Sequence, residues 1–139
     1  MQIRPFRDSD EAAVIALWEA AGLTRSWNDP RRDIERKRSV QRDWFLVGSV
    51  DGALMASIMV GYDGHRGWIT DLAGDPAHRQ QGPARTLMRA AARLLEAAGC
   101  PKVNLQIRTS NAAVIEFYKR IGYAQDDVVS FGRRLIADE

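Results

Sequence analysis

Two hydrophobic periods alternate along the chain, and together they predict a mixture of strands and helices. Alternating or short apolar runs predict strands over residues 2–6, 44–50, 54–62, 68–74 and 102–107. Apolar residues three and four positions apart predict helices over about 8–21, 82–98 and 111–121. A cap followed by Pro30 predicts a further, polar helix over about 30–42. Residues 123–135 are expected to add one or two closing strands, which brings the sheet to six or seven strands.

The order of these elements predicts the topology of the sheet. Asp51-Gly52 is typical of a tight hairpin turn, so the second, third and fourth strands should form an antiparallel meander. The helix over 82–98 is long enough to return the chain in the same direction, which makes the strands on either side of it parallel. We therefore expect an α/β (α+β) fold with a mixed, mostly antiparallel sheet, about four helices and one βαβ crossover.

Polar residues before the first two helices predict how those helices begin. Asp8 and Glu11 have the spacing of a capping box. Asn28 or Asp29 is suited to cap the second helix, and Pro30 fits its first turn.

The composition is that of one ordinary globular domain. The 139 residues are 45% apolar and 27% charged, so we expect a single domain over 1–139. No apolar run approaches the roughly 20 residues of a membrane span, and no secretory signal is evident, so the cytoplasm is the expected location. Cys100 is the single cysteine and the two histidines lack ligand spacing, so we expect neither a disulfide nor a metal.

The junction Arg79-Gln80-Gln81-Gly82-Pro83-Ala84 lies between a predicted strand and the helix over 82–98. The first turn of a helix carries backbone N–H groups without intrahelical partners and the positive end of the helix dipole. Gly82 allows close approach of the backbone, and Arg79 adds positive charge. The junction therefore suits a phosphate group, although a glycine before a helix can also serve as a simple connection.

Basic residues gather in a single segment, at Arg31, Arg32, Arg36, Lys37, Arg38 and Arg42. Asp29, Asp33 and Glu35 share that segment, which favours a solvated helix of mixed charge. A positive groove for an acidic ligand such as CoA, or for nucleic acid, is the alternative. The net charge of +2 is too small to favour nucleic acid by itself.

The chain resembles the GNAT superfamily of N-acetyltransferases over nearly its whole length. The acetyl-CoA loop of that family is matched by Arg79, Gly82 and Ala84, and Asp75-Pro76 precedes it at the usual spacing. A second signature follows, with its members at Asn111, Phe117-Tyr118 and Gly122-Tyr123. The chain is similar in particular to the bacterial YpeA-like branch, which shares stretches such as Trp27-Asn28-Asp29-Pro30 and Gly99-Cys100-Pro101-Lys102.

This resemblance implies a GNAT-type sheet and transfer of an acetyl group from acetyl-CoA directly to a primary amine, in a ternary complex. The acceptor would be a small molecule, a peptide N-terminus or a lysine side chain. No metal, nucleic acid or membrane partner is implied, whereas a homodimer through the last strands is common in the family. The residues implied to bind acetyl-CoA are Leu72, Ala73, Arg79, Gln80, Gln81, Gly82, Ala84, Arg85, Asn111 and Tyr118.

Two side chains are candidates for catalysis. A lysine-like amine has a pKa near ~10.4 and must lose a proton before it attacks, and Asp71 is our candidate base, directly or through a water. Asp71 could equally be a structural carboxylate. Tyr118 matches the family's tyrosine that donates a proton to the departing thiolate, although a core tyrosine would also suit its place on the helix. The family's backbone N–H for the oxyanion would lie around Leu72-Ala73.

Candidate substrate-binding residues come from three stretches, at Trp27, Asn28, Asp29, Glu35, Tyr62 and His65. Trp27 and Tyr62 could instead be core aromatics, and Asn111 is also a preferred helix cap. The loop departs from the family at Gln80 and at Pro83, which lacks an N–H and should weaken acetyl-CoA binding. A non-catalytic acyl-CoA-binding module is therefore the alternative function.

Overall fold

The computed structural model describes residues 1–138, apart from the side chain of Gln80. These residues form two compact units. The first comprises Met1–Leu105 with Asp138, and the second comprises Gln106–Ala137. None of the described helices is long and apolar enough to cross a membrane.

The first unit is built on one five-stranded sheet, which confirms the mixed, mostly antiparallel arrangement. The spatial order is β1-β2-β3-β4-β5, with antiparallel neighbours from β1 to β4 and a parallel β4–β5 pair. The strand bounds are β1 Gln2–Pro5, β2 Phe45–Val50, β3 Ala53–Tyr62, β4 Gly67–Gly74 and β5 Val103–Leu105. Asp51 and Gly52 both have positive φ, as the predicted hairpin turn requires.

Four α-helices are described, as predicted, and their bounds are α1 Glu11–Ala20, α2 Pro30–Arg38, α3 Pro83–Ala97 and α4 Ala112–Arg120. The predicted crossover is confirmed, because α3 connects the parallel strands β4 and β5. α3 buries Leu87, Met88, Ala91 and Leu95, the middle of its predicted apolar face. α2 ends earlier than expected, and a short 3-10 turn over Arg42–Trp44 follows it.

The helix caps agree with the sequence in one case and differ in the other. Asp29 caps α2 by accepting the Arg31 N–H at 2.9 Å, with Pro30 in the first turn. At α1 the predicted pairing of Asp8 with Glu11 is wrong. Asp10 instead accepts the Arg7 N–H at 2.8 Å and a two-pronged bond from Arg4, because a 3-10 turn precedes the helix.

An aromatic cluster ties α1 and α2 to the sheet. The rings of Phe6 and Phe45 stack with centroids 4.3 Å apart, and Trp18 lies beside Phe45. The Trp18 indole N–H donates to the buried Ser57 hydroxyl on β3 at 2.8 Å, so its single polar atom is satisfied. Ile34 from α2 completes the cluster and is fully buried.

The second unit corrects the predicted number of strands. Residues 123–135 contain no strand in the described structure, so the sheet has five strands there and not six or seven. Val128, Val129, Phe131 and Leu135 are exposed. An alternating pattern indicates which face a strand would bury. A strand forms, however, only where the edge of a neighbouring strand completes its backbone hydrogen bonds, and the pattern does not identify that neighbour.

Candidate active site

A β-bulge interrupts β4 at the position of the predicted base. Ser57 pairs with Ala73 and Met59 pairs with Thr70, so the single residue Ile58 lies opposite both Asp71 and Leu72. Asp71 adopts a left-handed conformation with φ of 52°, which aspartate tolerates better than most residues. The extra residue leaves a backbone amide of this pair outside the β3–β4 ladder.

The Asp71 carboxylate has an unusual environment. It is half-buried, and it accepts no hydrogen bond from the residues that the structure describes. Burial, with a smaller contribution from the negative charge of Asp33, raises the pKa of Asp71 from its ordinary value of 3.8 to about 6. The group is therefore ionised at neutral pH and is a stronger base than an exposed aspartate.

A narrow cleft opens above Asp71 within the first unit. Its walls come from α1, from the loop after α1, from α2 and from β4, and the lining residues are Trp18, Leu23, Thr24, Arg25, Asn28, Pro30, Asp33 and Asp71. The free volume is about 20 Å³, which is room for a water or one ammonium group. We call this space the Asp71 cleft.

Asp33 gives the Asp71 cleft a second carboxylate. The Asn28 side-chain amide donates to Asp33 Oδ2, and Arg36 Nη1 lies 3.2 Å from Asp33 Oδ1. Arg25 also lines the cleft, and its guanidinium donates to the carbonyl oxygens of Gly22 and Thr24 at 2.8 Å. Two carboxylates in a space this small favour a cation.

The start of α3 has the features of an anion-binding turn. Gly82 caps the helix with φ of 65°, and the Thr86 N–H is the first to bond back, reaching the Gly82 carbonyl at 3.0 Å. Within the first turn, Ala84 and Arg85 thus have N–H groups that precede the helical ladder, whereas Pro83 has none. Arg79, Gln81 and Arg85 are exposed at this end of the helix.

The last part of β4 has an open edge toward β5. The parallel pairing covers Gly67–Ile69 of β4 and ends at Leu105 of β5. In the first unit no strand pairs with Thr70–Gly74 on that side. The backbone N–H and C=O groups of this edge are therefore able to pair with an extended ligand, as an added strand would.

The second unit carries the second signature, including the candidate ligand-binding residues Asn111 and Tyr118. Asn111 caps α4, and its side-chain oxygen accepts the Val114 N–H at 3.4 Å. Tyr118 is buried and makes edge contacts with the rings of Phe117 and Tyr123. Burial, and to a lesser extent Tyr123, raises the pKa of Tyr118, and its hydroxyl has no hydrogen-bond partner among the described residues.

Comparison with known proteins identifies the family to which this chain belongs. The sequence profile described as the Acetyltransferase (GNAT) family matches residues 12–123. A protein of Sodalis glossinidius named as an acetyltransferase is 48% identical over 140 aligned residues, which cover 100% of this chain and 99% of that protein. The chain belongs to the GNAT acetyltransferase family. The relationship over the full length supports acyl transfer as its activity.

Solved structures agree with this assignment. The structure of Ard1 from Thermoplasma volcanium superimposes with a TM-score of 0.72 at 26% identity, over 88% of this chain and 82% of that one. The aminoglycoside N-acetyltransferase AAC(6′)-Iy, determined with the bisubstrate analogue CoA-S-monomethyl-acetylneamine, gives a TM-score of 0.75 over 97% and 98% of the two chains. Its identity is 17%, so that likeness concerns the GNAT fold alone.

The predicted residues fall at different distances from the Asp71 cleft. Asn28 lines it, as does the predicted base, Asp71. Asp29 caps α2, Trp27 is 49% exposed, and the other predicted substrate residues lie outside the lining, at Glu35, Tyr62 and His65. Leu72 and Ala73 lie in and directly after the bulge, and Arg79, Gln81, Gly82, Ala84 and Arg85 surround the start of α3. The side chain of Gln80 lies outside the described residues.

Sequence reasoning missed several residues of the cleft. The mixed charge of the segment places Asp33 on the solvated face of α2, and no motif points to Thr24 or Arg25, yet all three line the cleft. The sequence signal that could have identified Asp33 is its position on α2. It lies one turn after the cap Asp29 and directly before Ile34, which is fully buried. A carboxylate beside the buried stripe of a helix points to a boundary position and not to open solvent.

The basic segment has the mixed-charge character that its composition favours. Arg36 pairs with Asp33 and Asp138, and Arg32 lies 3.8 Å from Asp29. On the other side, Asp8 accepts from Arg38 at 3.1 Å and from Arg42 at 2.8 Å. These arginines hold acidic groups of the same protein.

The raised pKa of Asp71 predicts a stabilising substitution. A carboxyl whose folded pKa lies above its unfolded value contributes stability below pH ~3.8, and that contribution is lost as the pH rises through about 6. Asp71→Asn keeps the shape and removes the charge, so at pH 8 it should be more stable than the parent by roughly 2–3 kcal/mol. Thermal unfolding should show this difference at pH 8 and none near pH 4.

Asp63→Asn is the matched control for that measurement. The pKa of Asp63 is lowered, chiefly by hydrogen bonds from the N–H groups of Arg66 and His65, so this substitution should destabilise the protein at neutral pH. A parent as stable as Asp71→Asn at pH 8 would show that the Asp71 carboxylate is not desolvated.

Proposed function

We propose that the protein is an N-acetyltransferase that moves the acetyl group of acetyl-CoA directly to a primary amine, with Asp71 as the base. The observation that carries this proposal is the half-buried Asp71 carboxylate at the β4 bulge, facing a cleft the size of one ammonium group. A second carboxylate, Asp33, lines the same cleft. A cationic amine therefore finds both its charge partner and its base in one place.

Proton removal from the amine is the first step. Near pH 7 a lysine-like amine is almost entirely an ammonium ion, which cannot attack a thioester. Asp33 and Asp71 attract that ion into the Asp71 cleft, and Asp71 accepts its proton directly or through one water. Since burial has raised the pKa of Asp71 to about 6, the transfer is less unfavourable than to an exposed aspartate.

The thioester is proposed to lie along the open edge of β4. The backbone groups of Thr70–Gly74 would pair with the amides of the pantetheine arm, and the amide freed by the bulge at Asp71-Leu72 would donate to the oxyanion. The N–H groups of Ala84 and Arg85, with the charge of Arg79, would hold the pyrophosphate at the start of α3.

Departure of the CoA thiolate needs a donor, and we assign this role to Tyr118 on the strength of the family resemblance. The raised pKa of Tyr118 keeps its hydroxyl protonated throughout the physiological range. The thiol has a lower pKa, about 8.5, so complete proton transfer from Tyr118 would be uphill. Its contribution is therefore a hydrogen bond that stabilises the sulfur as negative charge develops on it.

A non-catalytic acyl-CoA-binding module is the second candidate. The observation that favours it is Pro83, which removes one backbone donor from the first turn of α3. Turnover separates the two candidates, because both bind acetyl-CoA and both should be stabilised by it. The cytoplasmic location stays a prediction of the sequence, and the homodimer stays a prediction of the resemblance.

Thiol release with a panel of amines tests the proposed function. We expect release that requires acetyl-CoA and a primary amine, with an acidic limb of kcat/KM near pH 6 that reports Asp71. Asp71→Asn should lower kcat/KM roughly a hundredfold or more and remove that limb. The control Asp127→Asn changes an exposed carboxylate and should behave as the parent. If no amine gives turnover, the enzyme proposal fails and the acyl-CoA-binding module remains as the function.

Tyr118→Phe tests the donor. Loss of the hydroxyl should lower kcat roughly tenfold to a hundredfold, because it removes an interaction with the leaving sulfur, and the Kd for acetyl-CoA should stay within about twofold. The matched control is Tyr123→Phe, which keeps the ring beside Tyr118 and should retain the parent kcat. An unchanged kcat for Tyr118→Phe would show that the Tyr118 hydroxyl does not stabilise the departing sulfur.

Pro83→Ala tests the pyrophosphate turn, and Pro83→Ile offers the residue type usual in the family. Either change restores an N–H at the first position of α3 and should tighten acetyl-CoA binding up to about fivefold, the value of one modest hydrogen bond. Because Pro83 is buried, alanine is the cleaner change. Calorimetric titration with acetyl-CoA gives the Kd, and equal values for parent and variants would mean that this donor is not used.

A further inference from the structure

Arg36 binds two carboxylates, and one of them lines the Asp71 cleft. Its Nη1 lies 3.2 Å from Asp33 Oδ1 and 3.1 Å from Asp138 Oδ2, while its Nη2 donates to Asp138 Oδ1. The Asp138 side chain is fully buried, although it comes 102 residues later in the chain. The backbone N–H of Asp29 donates to it at 3.3 Å, and Arg32 lies 3.9 Å away.

The two contacts of Arg36 are unequal. Asp138 receives both prongs of the guanidinium, in the geometry that gives the strongest pairs between arginine and a carboxylate. Asp33 receives a single contact from a nitrogen that Asp138 shares. The hydrogen bonds between Arg36 and Asp138 accordingly lower the pKa of Asp138 and raise that of Arg36. Most of the positive charge of Arg36 is directed at Asp138.

We propose that Asp138 is a positioning residue for the acceptor cleft: by holding Arg36 in a two-pronged ion pair, it leaves the Asp33 carboxylate negative enough to receive a cationic amine. This inference rests on the proposed function for the identity of the acceptor. Without Asp138, the nearest carboxylate to Arg36 would be Asp33, and their closer pairing would cancel the charge that an ammonium ion needs.

The charged groups around the cleft fix the sign of the effect. Arg25 faces it from the loop after α1, Asp33 from α2 and Asp71 from β4. Removing the negative charge of Asp138 draws Arg36 onto Asp33, which weakens the field of Asp33 at Asp71. The pKa of Asp71 should then fall. Removing Arg36 has the opposite effect, because Asp33 loses its cation and the pKa of Asp71 should rise.

Asp138→Asn and Arg36→Gln therefore make a matched pair. Carboxyl ¹³C NMR of Asp71 should show its titration midpoint fall by roughly half a pH unit in Asp138→Asn and rise by a similar amount in Arg36→Gln. The double variant should follow Arg36→Gln alone, because Asp138 acts through Arg36. In kinetics, Asp138→Asn should raise the amine KM roughly threefold with kcat less affected, and Asp138→Glu should restore it.

The outcomes separate this inference from the proposed function. If the parent acetylates amines but the two single variants shift Asp71 in the same direction, Asp138 is a structural tether and the inference is wrong. If the NMR midpoints move in opposite directions but no amine is acetylated, the positioning role stands and the proposed function fails. The Arg36→Gln arm decides alone should Asp138→Asn not fold, since a midpoint that falls or stays contradicts the inference.

Discussion

The candidate site depends on one extra residue in β4. Side chains of a regular strand alternate between the two faces of the sheet, so Gly67 and Ala73 should lie on the same face. They do not: a Cβ on Gly67 would meet Leu95 of α3, whereas Ala73 packs with Trp18 and Ile34 on the side of α1 and α2. The bulge reverses the alternation between them, as a one-residue slip must. The same residue that makes this reversal, Asp71, lines the cleft beside α1 and α2.

Asp71 in this conformation lowers the stability of the fold, so the surrounding structure has to stabilise it there. Asp71 combines a left-handed backbone with a partly desolvated charge, and either feature alone would favour a different local arrangement. The pairing on both sides of the bulge and the Trp18 bond to the buried Ser57 hydroxyl keep β3, β4 and α1 in place. A residue that costs stability in this way marks a candidate functional position, because strained and desolvated groups are commonly retained at functional sites.

Much of the fold follows from local signals, and the parts that do not follow depend on contacts distant in sequence. The hairpin at Asp51-Gly52, the cap at Asp29 and the β4-α3-β5 crossover each lie within one continuous stretch of chain, so the sequence predicts them. The predicted strands over 123–135 required a partner edge that no local pattern identifies. The lining of the Asp71 cleft comes from four separate segments, so Asp71 and Asn28 could be nominated singly but not as neighbours.

The charge of α2 shows why composition could not decide between a solvated helix and a ligand-binding one. Successive residues of a helix point about 100° apart, so Asp33, Ile34 and Arg36 face different surroundings despite their proximity in sequence. Ile34 enters the core and Asp33 lines the cleft, whereas Arg36 pairs with Asp138, which lies 102 residues later in the chain. The segment carries an excess of basic residues, and several of them pair with acidic groups that lie in different surroundings. Counting residues gives the net charge of the segment, and the different surroundings of its side chains appear only when Ile34 is packed into the core.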